Sequence, residues 1–153
     1  MQRYYFIAIL LLILLAATTS PAQNKGFGIG IIIGEPTGIS AKNWLSGRTA
    51  VDGAIAWSFV KESSFHVHGD FLLHSFDAIE TKEPFYFYYG VGGRIKASKK
   101  DPSRVGVRGV AGVGYMLQAA PVDFFLEIAP IFDLTPATEI SINAGIGGRY
   151  FFP

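Results

Sequence analysis

Three ionisable residues alternate along one short segment, His66-Val67-His68-Gly69-Asp70. In an extended chain, positions two apart share a face at a separation of roughly 7 Å. Two imidazoles and a carboxylate presented this way could hold zinc, which takes nitrogen and oxygen ligands of these types. Slightly further on, His74, Ser75 and Asp77 supply the residue types of a base, a nucleophile and an orienting carboxylate. Neighbouring strand residues point to opposite faces, however, so His74 and Ser75 can share a hydrogen bond only across a bulge. The Gly-rich phrases Gly90-Val91-Gly92-Gly93 and Gly145-Ile146-Gly147-Gly148 lack the spacing and following helix of a phosphate-binding loop. Neither a catalytic set nor a metal or cofactor site is assigned from these motifs. The favoured role for the ionisable residues is mutual neutralisation within a charged network of Lys42, Asp52, His66, His68, Asp70, Arg94, Arg108, Glu127 and Arg149.

The elements that carry these residues read as strands. From Gly26 onward extended segments alternate with turn chemistry, and no stretch keeps a helical period over three turns. Eight strands are expected, over Gly26–Gly34, Gly38–Leu45, Thr49–Val60, Phe65–Phe76, Phe85–Ala97, Arg104–Gln118, Val122–Leu134 and Ile140–Phe152. The connecting segments are mostly Pro, Gly, Ser or charged residues. In the fourth strand Phe65, Val67, Phe71 and Leu73 share one face, and His66, His68, Asp70 and His74 the other. The third strand sets Val51, Ile55 and Trp57 against Asp52, Ala54 and Ser58, and the last sets Ile142, Ile146 and Tyr150 against Asn143, Gly145 and Arg149.

Composition decides which face is inside. Half of the 153 residues are hydrophobic, 16% are charged and 18 are Gly, while beyond the N-terminus no apolar run approaches the roughly 20 residues of a spanning helix. The polar faces of the strands are rich in Gly28, Gly30, Gly90, Gly92, Gly112, Gly114, Gly145 and Gly147 instead of Lys, Glu and Thr. Small residues suit the cramped lumen of an eight-stranded barrel, where they leave room for long Arg and His groups. Aromatics at Phe59, Phe65, Phe85 to Tyr89, Tyr115, Phe124, Tyr150 and Phe152 gather near segment ends, as interfacial girdles do. The expected fold is therefore all-β: an eight-stranded antiparallel up-and-down transmembrane β-barrel. A soluble periplasmic lipocalin-like binding barrel, with the faces exchanged, is the alternative.

These features carry a resemblance. The strand count, the phrases Gly34-Glu35-Pro36-Thr37-Gly38 to Trp44-Leu45, Glu127-Ile128-Ala129-Pro130 and Gly145 to Phe152, and the N-terminal leader look like a family of small outer-membrane barrels similar in architecture to OmpX and the OmpA membrane domain. Barrels of this kind usually end on an aromatic residue read by the assembly machinery, whereas here Pro153 follows Phe152. The resemblance implies a bacterial outer-membrane location, outer-membrane lipid as surroundings and the barrel-assembly machinery as a transient partner. It implies little about activity, and a lipid-modifying enzyme is the second functional class, with His74, Ser75 and Asp77 as its bearers.

Residues 1–22 read as a cleaved signal peptide: Arg3, then an apolar stretch from Tyr4 to Ala17, then Ser20-Pro21-Ala22. Residues 23–153 are the expected barrel. With no Cys in the chain, lipid attachment through an N-terminal cysteine is excluded. A net charge of +1 leaves no electrostatic footprint for nucleic acid. With both termini in the periplasm, the outward loops are Glu35 to Thr37, Lys61 to Ser64, Ser98 to Ser103 and Thr135 to Glu139. All are short, so a surface ligand would be weakly held. Lys99 and Lys100 in the third loop are the groups best suited to an anionic headgroup. The network as a whole is expected to plug the lumen.

Overall fold

The computed structural model describes residues 24–58 and 63–152; the expected leader, Phe59 and Pro153 lie outside them. Eight strands follow in chain order: β1 (Phe27–Glu35), β2 (Thr37–Trp44), β3 (Thr49–Ser58), β4 (Ser64–Ser75), β5 (Phe85–Ser98), β6 (Arg104–Met116), β7 (Val122–Thr135) and β8 (Glu139–Phe152). Each pairs antiparallel with the next, and β1 closes on β8 from Phe27 opposite Phe152 to Glu35 opposite Ala144, giving a closed barrel. Closure leaves no strand edge unpaired. Where both ends are described, the strand boundaries depart from the sequence reading by no more than two residues, and the expected end of the third strand at Val60 lies outside the described residues. The largest revision concerns the first turn, where only Pro36 separates β1 from β2. Gly34, at φ +148° in the region that favours glycine, donates its N–H to Thr37 Oγ1 at 3.1 Å. Thr37 Oγ1 in turn donates to Gly34 O at 2.9 Å.

The alternation of the sequence becomes an inside-out distribution of polarity. Ile31, Ile33, Val91, Leu126, Ile140 and Ile142 are all more than half exposed on the outer wall, whereas Lys42, Arg108, Asp123 and Asp133 are at most 1% exposed inside. A soluble barrel would place these groups the other way round.

Two details of the sequence reading are corrected. The aromatic run Phe85 to Tyr89 does not lie wholly in an outer girdle: Phe85 and Tyr89 face outward, but Tyr86 and Tyr88 are buried in the lumen. Five consecutive aromatics on a strand must split between its faces. The outer girdle is instead made of cross-strand pairs, with ring centroids 5.0 Å apart for Phe85 and Tyr115 and 5.6 Å for Trp57 and Phe65.

The second correction concerns the lumenal glycines, which make room for rings as well as for the expected arginines, Gly30 lying across from Arg149 and Gly92 from Arg108. Tyr88 lies directly across from Gly112, Tyr86 from Gly114, Phe125 from Gly147 and Phe151 from Gly28. In each case a Cβ on the glycine would strike the facing ring. The ring covers the bare backbone of its partner, a cross-strand device that protects glycine in sheets.

Gly30 shows the tightest case at the closing seam, since a Cβ there would meet Gly148 O and the Cα of Arg149, both backbone. Gly30→Ala should lower unfolding stability in detergent by about 1–3 kcal/mol. Gly47→Ala, in a turn where the nearest atom to such a Cβ is 4.0 Å away, should stay within about 0.5 kcal/mol. Guanidinium titration of the folded protein reads both; equal effects would refute this account of the seam.

Candidate functional site

Each inward-facing position along a strand is held by the hydrogen-bond ladder, so the interior can be read as layers stacked along the barrel axis. The layer nearest the termini is aromatic. Trp44 and His74 lie with centroids 4.3 Å apart, and Tyr86 and Tyr88 sit 5.5 and 5.6 Å from the His74 ring. The ammonium of Lys42 lies 4.3 Å from the Trp44 ring centroid, 5.1 Å from Tyr86 and 5.6 Å from Tyr88. It is thus caged by π faces, which attract a cation most strongly where water is excluded. Asp123 stands 3.9 Å from the same ammonium and accepts a 2.8 Å hydrogen bond from Tyr86.

The middle layer is ionic. Arg149 donates through Nη2 to Asp52 at 2.8 Å and through Nε to Ser40 at 2.9 Å, with its guanidinium 3.9 Å above the Phe125 ring. Arg108 reaches Asp70 at 3.0 Å and Glu127 at 3.2 Å, and Tyr88 donates to the second oxygen of Glu127 at 2.9 Å. Above this, Arg94 grips Asp133 through both Nε and Nη2, at 3.2 and 2.7 Å, a bidentate match of fork to carboxylate. At the rim Arg104 pairs with Glu139 and stands 3.6 Å from Asp133.

Among the described residues, Lys42, Arg94, Arg108 and Arg149 are thus buried with Asp52, Asp70, Asp123, Glu127 and Asp133, and Arg104 supplies the remaining cation from the rim. Such burial is tolerated when each charge meets an opposite one and its remaining sites are hydrogen-bonded.

The structure brings together most of the residues singled out from sequence, in three clusters. Lys42 lies in the aromatic layer; Asp52 with Arg149 and Asp70 with Arg108 and Glu127 form the middle; Arg94 and His66 belong to the upper part. His66 Nε2 lies 3.3 Å from Ser64 Oγ, and His68 is buried opposite Arg94 in the β4–β5 ladder. Asp70 is committed to Arg108, and among the described residues no three His, Cys, Asp or Glu side chains are grouped to hold a metal ion.

His74, Ser75 and Asp77 are separated. His74 Nδ1 lies 3.2 Å from Arg48 O inside the barrel, while Asp77 pairs at 3.4 Å with Arg48 on the surface. Sequence reasoning missed Asp123, Asp133, Tyr86 and Tyr88, though the first two alternate in phase with Glu127 along β7 and the period of two could have found them.

No family model matches the sequence, and no curated protein matches it. Among solved structures, the N-terminal β-barrel domain of Pseudomonas aeruginosa OprF is similar, with a TM-score of 0.58 at 12% identity over 82% of this chain and 96% of that domain. The two share one fold. It is the architecture that the sequence resemblance implies, an eight-stranded antiparallel closed barrel, and at this identity the likeness to OprF speaks for fold alone.

Breaking one buried pair should cost far more than losing a rim pair. Arg149→Met strands Asp52 and should destabilise the barrel by about 3–5 kcal/mol. The double substitution Asp52→Asn with Arg149→Met should recover most of that loss, whereas Arg104→Gln at the rim should cost less than about 1 kcal/mol. Denaturant midpoints of the four proteins test this, and a double variant as unstable as the single one would contradict it.

Proposed function

We propose that the protein is an integral outer-membrane β-barrel of Gram-negative type, exported through a leader in residues 1–22, whose role is structural or surface-interactive and whose lumen is closed to solutes. The observation that carries this reading is the inverted polarity of the wall. A ring of Ile, Val, Leu and Phe side chains faces outward on all eight strands, while the charges are buried within. Water offers no reason for that arrangement, and hydrocarbon does. Strands of 8 to 14 residues suit a tilted crossing. The outer-membrane lipid and, during insertion, the barrel-assembly machinery are the partners this reading entails.

Closure of the lumen follows from two supports: the aromatic layer of Trp44, His74, Tyr86 and Tyr88, and the ion-paired layers above it. No catalytic role is assigned, since the groups that could serve a nucleophile mechanism are held apart.

The protein should fractionate with outer membranes and migrate differently in gel electrophoresis before and after boiling. In planar bilayers it should be nearly non-conducting. Replacing Tyr86 and Tyr88 together by Ala, which removes much of the aromatic layer, should raise conductance measurably. A soluble product without a heat-dependent shift would overturn the membrane reading, and large stable currents from the unaltered protein would overturn the closed lumen.

A further inference from the structure

The two ends of the barrel differ. The termini end is filled by rings, whereas the opposite end opens into a polar cavity of about 230 Å³ between the upper parts of the strands. Among the described residues, three polar atoms in its walls have no hydrogen-bond partner: Glu35 Oε1, His66 Nδ1 and Asn143 Nδ2. His66 is 3% exposed and Asn143 8% exposed, and a buried polar group favours whatever supplies it with a hydrogen-bond partner.

The charges at the mouth divide into engaged and available ones. Arg94 is held by Asp133 and Ser141, and Arg104 by Glu139 and Asp133. Lys96, which lines the same cavity, makes no ion pair or side-chain hydrogen bond among the described residues, and neither do the carboxylates of Glu35 and, in the loop after β5, Asp101. Lys96 sits across the ladder from His66 on the β4–β5 wall. Glu35 ends β1 opposite Ala144, next to Asn143 on β8. In a closed eight-strand ring, β1 and β5 are four strands apart and face one another. The cavity therefore presents an available ammonium beside an imidazole on one wall, and an available carboxylate beside an amide donor on the other. Among the described residues its lining holds no Phe, Tyr or Trp ring, because Trp57 and Phe65 at this end point outward.

We propose that the open mouth binds a compact zwitterion of dipeptide size, its ammonium on Glu35 and its carboxylate on Lys96. Asn143 Nδ2 donates to the peptide carbonyl oxygen beside that ammonium, and His66, protonated at Nδ1 with Nε2 accepting from Ser64 Oγ, donates to the carboxylate on the Lys96 wall. The aromatic layer at the far end makes this a blind cup that receives ligand from the loop side. The site is a property of the folded barrel and does not depend on which membrane holds it.

Glycylglycine is the probe, titrated into the full chain folded in detergent micelles and followed by NMR shifts at Lys96 and Asn143. Saturable shifts are expected with glycylglycine. Its N-acetyl form, which lacks the cation, and its C-terminal amide, which lacks the anion, should each bind at least about tenfold more weakly, the loss of one charge-assisted contact. Lys96→Gln should abolish the preference over the amide, Lys96→Arg should restore it, and Glu35→Gln should abolish the preference over the N-acetyl form. The heat-dependent gel shift verifies that each variant is folded. Absence of saturable shifts, equal binding of the capped probes, or preferences unchanged by the substitutions would each overturn the proposal. None of these outcomes touches the membrane reading, which the fractionation and conductance measurements decide separately.

Discussion

Everything in this molecule depends on holding charge inside a narrow tube. Removing a carboxylate or guanidinium from water costs several kcal/mol even after relaxation, and among the described residues the buried carboxylates Asp52, Asp70, Asp123, Glu127 and Asp133 each meet a cation. Arg108, shared between Asp70 and Glu127, and Arg149, shared between Asp52 and Ser40, show how this is met. Arg149 on β8 reaches Ser40 on β2 and Asp52 on β3, and Arg108 on β6 reaches Asp70 on β4 as well as Glu127 on the neighbouring β7. These pairs link strands beyond the ladder neighbours, so the barrel's cross-section is braced by electrostatics as well as by its hydrogen-bond ladder.

The bracing works only if side chains as long as Arg, Lys and Tyr fit side by side. An eight-stranded barrel has just enough room for its inward side chains, and the room is rationed strand by strand. Where β5 contributes Tyr86 and Tyr88, β6 contributes Gly114 and Gly112; where β7 contributes Phe125, β8 contributes Gly147. The glycines are therefore part of the packing and not relief from it. The same rings supply hydroxyl donors to Asp123 and Glu127 and π faces to Lys42, which links packing to charge stabilisation in single side chains.

This arrangement also sets the direction of any function. The rings concentrate at the termini end and the uncommitted polar groups at the loop end, so the proposed closure and the proposed binding mouth lie at opposite ends of the interior. With loops as short as Pro36 between β1 and β2, recognition by extended loops is denied to this protein. Chemistry available to the outside lies in the mouth itself.

The architecture was legible in the sequence because a strand's side chains alternate with a period of two, and that period survives whatever the strand pairs with. His66, His68 and Asp70 on one face, against Phe65, Val67 and Phe71 on the other, sufficed to define β4, its inward side and its place in a membrane-type wall. The inward position of Arg94, Arg108, Glu127 and Arg149 followed in the same way. Which of them meet did not, because a partner across the lumen is chosen by ladder register, strand number and barrel closure, none of which is local. Arg94 finds Asp133 and Lys42 finds Asp123 over separations along the chain of 39 and 81 residues. The matching of Tyr86 to Gly114, the separation of His74 from Asp77, and the facing of Glu35 toward Lys96 are likewise facts of register and closure. Sequence determined what each face carries, and the closed barrel decided who stands opposite whom.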